Sequence, residues 1–158
     1  NVLGDTKGSR VNTERFMRTR LLDAMGMQAQ PKFDAAGTFV GSSYVFATAR
    51  DFAKFGLLYL RDGVCNGVRI LPEGWVDHAR KQHVFDELTG LGYGAHWWTL
   101  PGERNSLVAA GYEGQYIMVI PDRDLVVVRL GKTVAELRNT VVAELRGVIE
   151  QFPVIGER

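Results

Sequence analysis

The residues best suited to chemistry form a short run, Ala109 to Gln115, in which two glycines flank Tyr112 and Glu113. An apolar segment, Tyr116 to Ile120, follows directly. Gly111 lets a substrate approach the backbone closely, because glycine has no Cβ. Backbone N–H groups at such an edge stabilise the oxyanion that forms when an acyl group is attacked. The run therefore indicates the oxyanion edge of an active site.

The sequence contains no recognisable nucleophile motif to accompany this edge. No Gly-x-Ser-x-Gly elbow occurs. The single cysteine, Cys65, lies between Gly63 and Gly67, a setting that indicates a turn and not a reactive thiol. Gly131-Lys132-Thr133 does not complete a phosphate-binding loop, because Val126 stands where that loop needs its first glycine. We interpret this segment as the exit of a strand into a helix cap.

The three histidines do not form a metal-binding pattern. His78 and His83 are five positions apart, whereas the pair of a helical zinc site is four apart, so we expect both to be solvated. His96 precedes Trp97 in a predicted strand and is interpreted as a cross-strand packing partner. We predict no metal and no cofactor.

Composition limits the class of protein. With 158 residues, 46% of them hydrophobic, the chain suffices for one core or for half of a larger protein. Its 19 basic and 18 acidic side chains form no basic cluster, so nucleic acid is not an expected partner. No apolar run approaches the roughly 18 residues that cross a bilayer. Asn1 is not an initiator methionine, so we expect a preceding segment that would hold any targeting signal, and the compartment stays open.

Helical periodicity marks the first half of the chain. Asn12 or Thr13 caps a first helix that ends at Gly26, with apolar positions Phe16, Met17, Leu21, Leu22 and Met25. Gln28 to Ser43 is predicted as a long irregular connection. Thr48 to Asp51 resembles a capping box for a second helix that ends near Gly63 and buries Phe52, Phe55, Leu58 and Tyr59. Pro72 marks the first turn of a third helix, which buries Trp75, Val76 and Ala79.

Strands and a last helix are predicted after Gly90. Leu91 to Leu100 forms one strand, and Tyr116 to Ile120 pairs with Val126 to Leu130 around a turn at Pro121 to Asp124. The last helix lies across this sheet, ends at Pro153 and has one apolar stripe: Leu137, Val141, Leu145, Val148 and Phe152.

The predicted fold class is α+β, with an antiparallel sheet packed by the C-terminal helix and a helical region from the first half nearby. Residues 1–90 are mainly helix and loop, and residues 91–158 are antiparallel strands plus the C-terminal helix. We expect residues 1–158 to be the C-terminal portion of a single catalytic domain.

The blocks of this sequence, taken in order, resemble a known family. They are Asn-Val-Leu-Gly at 1–4, Leu-Leu-Asp-Ala-Met-Gly-Met at 21–27, Ala-Thr-Ala-Arg-Asp-Phe-Ala-Lys-Phe-Gly at 47–56, Arg-Ile-Leu-Pro at 69–72, Gly-Tyr-Gly at 92–94, Gly-Tyr-Glu-Gly-Gln at 111–115 and Ile-Pro-Asp-Arg-Asp-Leu-Val-Val-Val at 120–128. This order resembles the later half of the serine hydrolases related to class C β-lactamases, D-alanyl-D-alanine peptidases, family VIII esterases and nylon-oligomer hydrolases. The resemblance covers nearly the whole chain and implies a β-lactamase/transpeptidase-like fold.

The resemblance implies a serine acyl-transfer hydrolase. In that family the serine of a Ser-x-x-Lys motif attacks an ester or amide, while its lysine and the tyrosine of a Tyr-x-Asn motif move the proton. Neither motif occurs in this sequence, so the resemblance implies that both precede Asn1. The chain alone is expected to be inactive, and a second polypeptide is one source of the missing half. A non-catalytic binding or structural module that retains the fold is the alternative.

The resemblance also assigns roles at the oxyanion edge. Ala109, Ala110 and Gly111 align with the family's Lys-Thr-Gly element, and the backbone N–H of Tyr112 becomes the strand-side oxyanion donor. The missing lysine and threonine would hold the carboxylate of a β-lactam. Their replacement by alanine favours a neutral ester or amide as the small-molecule substrate.

Four further residues keep two interpretations each. Tyr44 and Phe46 align with positions that line the acyl pocket in the family, or they belong to a loop packed on the core. Glu113 is a supporting acid near the substrate or an exposed turn residue. Gln115 hydrogen-bonds the turn or faces solvent.

Overall fold

The computed structural model describes residues 9–87 and 91–155. The block at 1–4 and Gly90, where the change to strands was predicted, lie outside these residues. The helices of the described part are α1 (Ser9–Met17), α2 (Ala49–Leu60), α3 (Trp75–Arg80) and α4 (Arg138–Glu150). Its strands are β1 (Ala29–Pro31), β2 (Val45–Ala47), β3 (Val64–Cys65), β4 (Val68–Arg69), β5 (Val84–Asp86), β6 (Leu91–Tyr93), β7 (Leu107–Gly111), β8 (Gln115–Ile120) and β9 (Leu125–Arg129). None of these helices combines the length and apolarity needed to span a membrane.

The central sheet has three antiparallel strands in the order β7-β8-β9. The predicted hairpin of β8 and β9 is confirmed, and Pro121–Arg123 forms a 3₁₀ turn between them. Trp98 bridges both Tyr93 at the end of β6 and Val108 in β7, which joins the β5-β6 hairpin to the sheet.

The two faces of this sheet pack against different helices, because side chains alternate along each strand. On one face, α2 contacts β8 and β9. Gly56 of α2 lies so close that a Cβ would be 2.5 Å from Cγ1 of Val126. On the other face, Ile149 of α4 joins a core cluster with Leu100, Val108, Met118 and Ile120. The predicted α+β class, with the C-terminal helix across an antiparallel sheet, is confirmed.

A hydrogen-bonded carboxylate secures the start of α2. The Thr48 hydroxyl accepts from the Asp51 N–H at 3.1 Å and donates to the Asp51 carboxylate at 2.6 Å. Asp51 also accepts from Lys54 Nζ at 3.0 Å and from the Gln28 N–H at 3.1 Å. Together the hydroxyl, the ammonium and the N–H lower the pKa of Asp51 from 3.8 to about 2. The predicted cap is confirmed, and its carboxylate also connects α2 to the segment before β1.

The first helix begins earlier than predicted. α1 starts at Ser9, so Asn12 and Thr13 lie inside it, and Thr13 is buried. A helix cap needs extended backbone, which neither residue has here. The helix continues through a π-helical segment, Arg18–Leu22, and Gly26 with φ +61° ends it as expected.

The connection from Gln28 to Ser43 is less irregular than predicted. Part of it forms β1, which pairs with β2 so that Pro31 lies opposite Val45. Farther along, Phe33 and Phe39 form a bridge with their ring centroids 5.8 Å apart. Strands this short carry no readable alternation of apolar and polar residues.

The segment between α2 and α3 follows the prediction in part. Gly63, with φ +78°, turns the chain after α2, and Cys65 lies in β3, directly before the turn to β4. Pro72 precedes the cap of α3, Gly74, by two residues and so lies outside the helix. Val76 and Ala79 are buried as predicted, but Trp75 is exposed.

Strands begin before Gly90, since β5 pairs with β6. Of Leu91 to Leu100, only the first three residues belong to a named strand. The chain then turns, with the Gly94 N–H donating to the Trp97 carbonyl at 2.8 Å. His96 lies in this turn with φ +66° and is exposed, so the prediction that it packs across a strand is wrong.

The apolar stripe of the last helix differs from the predicted one. Val141 and Ile149 are buried and Leu145 is half-buried, a seam of period four that faces the sheet. Three of the predicted stripe residues are exposed: Leu137, Val148 and Phe152. Period alone does not fix which of two adjacent apolar residues, Val148 or Ile149, faces the core; packing against Met118 and Ile120 does.

Candidate active-site groove

An open groove of about 920 Å³ runs along the end of β7. Residues 41–47, which include β2, form one wall, and residues 109–112 form the wall opposite. Residues of α2 and β8 and the residue after β9 complete the lining, among them Phe52, Tyr116 and Leu130. The groove therefore lies where two segments more than sixty positions apart in the chain are brought together by α2 and the sheet.

Six of the seven predicted site residues line this groove: Ala109, Ala110, Gly111, Tyr112, Tyr44 and Phe46. Glu113 is not among the lining residues. The structure therefore brings together residues from two separate parts of the chain, and their roles in catalysis and binding stay predictions.

Gly111 is the last residue of β7 and pairs with Gln115 across the turn. A Cβ at Gly111 would lie 3.3 Å from the Gln115 carbonyl oxygen, so a side chain here would crowd the turn. Tyr112 follows, and its side chain is 77% exposed. Its carbonyl accepts from Gln115 Nε2 at 3.2 Å, so Gln115 hydrogen-bonds the turn. Tyr112 is thus mostly in solvent, at the groove wall.

Glu113 supports the turn and is not the exposed residue that one interpretation predicted. Its backbone adopts the left-handed conformation, with φ +57°, and Gly114 follows with φ +76°. The Glu113 carbonyl accepts from the Thr133 N–H at 3.0 Å. Its half-buried carboxylate lies 3.8 Å from Lys132 Nζ.

Two residues that sequence reasoning missed hold this turn from behind. Arg129, the last residue of β9, donates from Nη1 to the Gly114 carbonyl at 2.5 Å and from Nη2 to Thr133 Oγ1 at 2.7 Å. Thr133 is buried. A signal existed in the sequence, because Arg129 is a charged residue ending an apolar strand and is followed by Gly131. Its partner, Gly114, is fifteen positions away and is identified only by the fold.

The opposite wall presents two aromatic side chains to the groove. Tyr44 and Phe46 are 58% and 59% exposed, so neither is packed in the core. Tyr44 has φ +63°, and its carbonyl accepts from the Lys32 N–H at 2.8 Å, which ties this wall to the segment after β1. The core-packing interpretation is wrong for both residues, and their role in substrate binding stays a prediction.

The groove lining is uncharged. Among the described residues that form it, none is Asp, Glu, Lys, Arg or His. Ser42 and Ser43 lie in the lining, but no side chain there acts as a base for either hydroxyl. Over the described ranges, 9–87 and 91–155, no three His, Cys, Asp or Glu side chains lie close enough together to hold a metal ion.

Known proteins that are similar to this chain include a curated relative and two solved structures. A curated relative, the 6-aminohexanoate-dimer hydrolase of Paenarthrobacter ureafaciens, is 28% identical in an alignment of 136 residues that covers 74% of this chain and 35% of the relative. A solved structure from Bacillus anthracis, provisionally assigned as a 6-aminohexanoate-dimer hydrolase, aligns with a TM-score of 0.69 and 20% identity over 95% of this chain. The chain covers 45% of that structure. A provisionally assigned β-lactamase from Bacteroides dorei aligns with a TM-score of 0.49 and 11% identity.

The chain thus spans about a third of the curated relative and under half of the best-aligned structure described above. The model of the Beta-lactamase family matches residues 4–146, most of the sequence. That match includes both walls of the groove and the turn behind Tyr112. On this evidence the chain belongs to the β-lactamase family.

Proposed function

We propose that this chain forms part of a serine hydrolase that transfers the acyl group of an ester or amide. Its contribution is the strand-side oxyanion edge, through the Tyr112 N–H, and the aromatic wall of the acyl pocket. The observation that carries the proposal is the single groove that unites residues 109–112 with Tyr44 and Phe46. Membership of the β-lactamase family supports the same chemistry.

The nucleophile and its base are proposed to lie outside residues 1–158. An unassisted serine hydroxyl is a weak nucleophile and needs a neighbouring base. The sequence holds neither Ser-x-x-Lys nor Tyr-x-Asn, and the groove lining lacks a basic side chain. The segment bearing these motifs belongs to the same polypeptide or to a second one. We use "full-length protein" for the assembly that contains this segment together with the chain.

The proposed substrate is neutral at the part that enters the groove. A carboxylate buried against this uncharged lining would lose its hydration without gaining an ionic partner. Ala109 and Ala110 offer no hydroxyl or ammonium in compensation. The hydrolases named for the 6-aminohexanoate dimer make an amide of this kind a specific candidate alongside simple esters. Its amide group is neutral, so we propose that this group enters the groove and that any charged end stays outside it.

A substrate panel tests this proposal. The full-length protein is assayed with neutral aryl esters and anilides, the 6-aminohexanoate dimer, and a β-lactam that carries a carboxylate. We expect a neutral ester or amide to be turned over with a kcat/KM at least about tenfold above that of the β-lactam, the discrimination that one unpaired buried polar group supplies. Preference for the β-lactam would contradict the neutral-substrate proposal. Turnover of no substrate would favour the non-catalytic binding module.

A further inference from the structure

Contacts from Arg129 and Thr133 hold the turn at residues 112–114, which carries the proposed oxyanion donor. We name the Arg129 side chain, together with the side chain and backbone N–H of Thr133, the turn clamp. The Arg129 guanidinium bridges two acceptors, the Gly114 carbonyl at 2.5 Å and Thr133 Oγ1 at 2.7 Å. The Thr133 N–H donates to the Glu113 carbonyl at 3.0 Å. The clamp therefore holds two consecutive carbonyls of one turn.

The turn needs such support because its backbone is unusual. Glu113 and Gly114 are both left-handed, with φ +57° and +76°, and only Gly114 adopts this conformation without steric cost. A non-glycine residue stays in that region only where its surroundings determine it. The hydrogen bonds to the Glu113 and Gly114 carbonyls hold Glu113 in this conformation.

The packing around the guanidinium is also specific. A Cβ at Gly131 would lie 3.0 to 3.1 Å from three atoms of the Arg129 guanidinium group, so glycine at this position makes room for it. A Cβ at Gly114 would lie 3.4 Å from both Arg129 Nη1 and Thr133 Cβ. The planar guanidinium fits a slot between two glycines and reaches two acceptors at once. A lysine ammonium has no equivalent fork.

We propose that Arg129 and Thr133 are positioning residues that aim the Tyr112 N–H at the oxyanion, an inference that rests on the proposed function. Tyr112 lies between Gly111, which is fixed by pairing with Gln115, and Glu113, which is fixed by the clamp. Without the clamp, β7 keeps its pairing with β8, but Glu113, the residue after Tyr112, is no longer held. The donor then loses its aim while the apolar walls that bind substrate stay intact.

Kinetics of the full-length protein test this inference. The variants are Arg129→Lys, Thr133→Val and the conservative Thr133→Ser, each titrated with a serine-reactive phosphonate so that kcat is expressed per competent site. For Arg129→Lys and Thr133→Val we expect kcat to fall about 10- to 100-fold, less than the full loss of one oxyanion donor, with KM within about twofold. Thr133→Ser retains the acceptor oxygen and keeps most of the wild-type kcat.

Arg123→Lys is the matched control. Arg123 is a half-buried arginine paired with Glu103 at 3.0 Å, but it lies at the opposite end of β8 from Gln115. We expect the kcat per competent site of Arg123→Lys to change by no more than about twofold, since Arg123 contacts neither the groove nor the turn at residues 112–114. A comparable loss in Arg123→Lys would show that the effect is general destabilisation and would overturn the inference.

The two proposals fail in different ways. An active wild type whose Arg129→Lys and Thr133→Val variants keep kcat within twofold would overturn the positioning role alone. A wild type that is neither titrated by the phosphonate nor active would overturn the proposed function and this inference together. A kcat loss in Thr133→Val that Thr133→Ser does not share would support the positioning role.

Discussion

Gly111 and Tyr112 are adjacent, but the structure gives them different requirements. Gly111 lines the groove at a point where a side chain would meet the Gln115 carbonyl oxygen 3.3 Å away. Tyr112 carries a phenol that is mostly in solvent, so its proposed role belongs to the backbone N–H. A side chain added at Gly111 should therefore lower activity strongly, whereas a change of the Tyr112 side chain should lower it little.

The prediction for these residues compares Gly111→Val with Tyr112→Phe in the full-length protein. Gly111→Val should lower kcat/KM about 100-fold or more, because a branched side chain displaces the oxyanion edge and blocks the approach of substrate. Tyr112→Phe should keep most activity, because it retains the N–H. Steady-state hydrolysis of a neutral aryl ester measures both. Equal losses would identify the phenol as the working group.

Sequence reasoning at the residue scale found the walls but not their support. Gly111 was predicted from its residue type, and the aromatic pair Tyr44 and Phe46 from the family resemblance. All three line one groove, and their roles in binding and catalysis stay predictions. Arg129 escaped notice because its partners are a carbonyl fifteen positions away and a hydroxyl across a turn. Contacts of this kind leave no periodic or compositional trace in a sequence.

Among the elements, α2 makes the most extensive connection between the N-terminal half and the central sheet in the described residues. Its start is tied to the segment before β1 through Asp51, and its C-terminal side is tied to the β8-β9 turn by an ion pair between Arg61 and Asp124. The same helix presents Phe52 and Phe55 to the groove. The geometry of the site therefore depends on how α2 is seated.

The pH dependence of stability, compared between wild type and Asp51→Asn, tests whether Asp51 holds the start of α2 in place. Hydrogen bonds hold the folded-state pKa near 2, below the ordinary 3.8, so the ionised carboxylate stabilises the fold at pH values above about 4. That stabilisation declines as the pH falls from about 4 toward 2. Urea unfolding should show wild type more stable than Asp51→Asn at pH 6, with the difference shrinking by pH 3. A difference that is constant with pH would contradict this account.

A pair of glycine substitutions tests the packing of α2 on the sheet. Gly56→Ala should destabilise the protein by about 1–2 kcal/mol, because its Cβ meets Val126 at 2.5 Å and this overpacking exceeds the gain in helix propensity. Gly147→Ala in α4 should instead stabilise it by about 0.5–1 kcal/mol, since a Cβ there meets nothing within 4 Å. Urea unfolding of both variants measures the contrast. Stabilisation by both would show that α2 is not packed this closely.

The elements that were predicted correctly have strong local patterns. α2 has a cap and a helical period, and β8 and β9 are continuous apolar runs around a proline turn. The errors lie where tertiary contacts decide. α1 includes Asn12 and Thr13, which were predicted as its caps. The short strand β1 pairs with β2, although a strand of this length shows no readable alternation of apolar and polar residues. In α4, Ile149 is buried and Val148 is exposed.

At the scale of the whole molecule, the centre of the described structure is a three-stranded sheet between α2 and α4, with the groove at the end of β7. The groove lining is uncharged. In the proposed function this arrangement supplies the oxyanion edge, and the nucleophile comes from a segment outside residues 1–158. The family match and the partial coverage of longer relatives are consistent with that division. Native mass measurement distinguishes a nucleophile segment on the same polypeptide from one on a second polypeptide.

The most direct test of the central claim is to map the adduct that a serine-reactive phosphonate forms with the full-length protein. Peptide mass analysis locates the modified serine, and the 158-residue chain alone is treated in parallel. The account predicts one adduct per full-length protein, on a serine outside residues 1–158, and no labelling of the chain alone. Stoichiometric labelling of a serine within the chain, such as Ser42 or Ser43 in the groove, would contradict it.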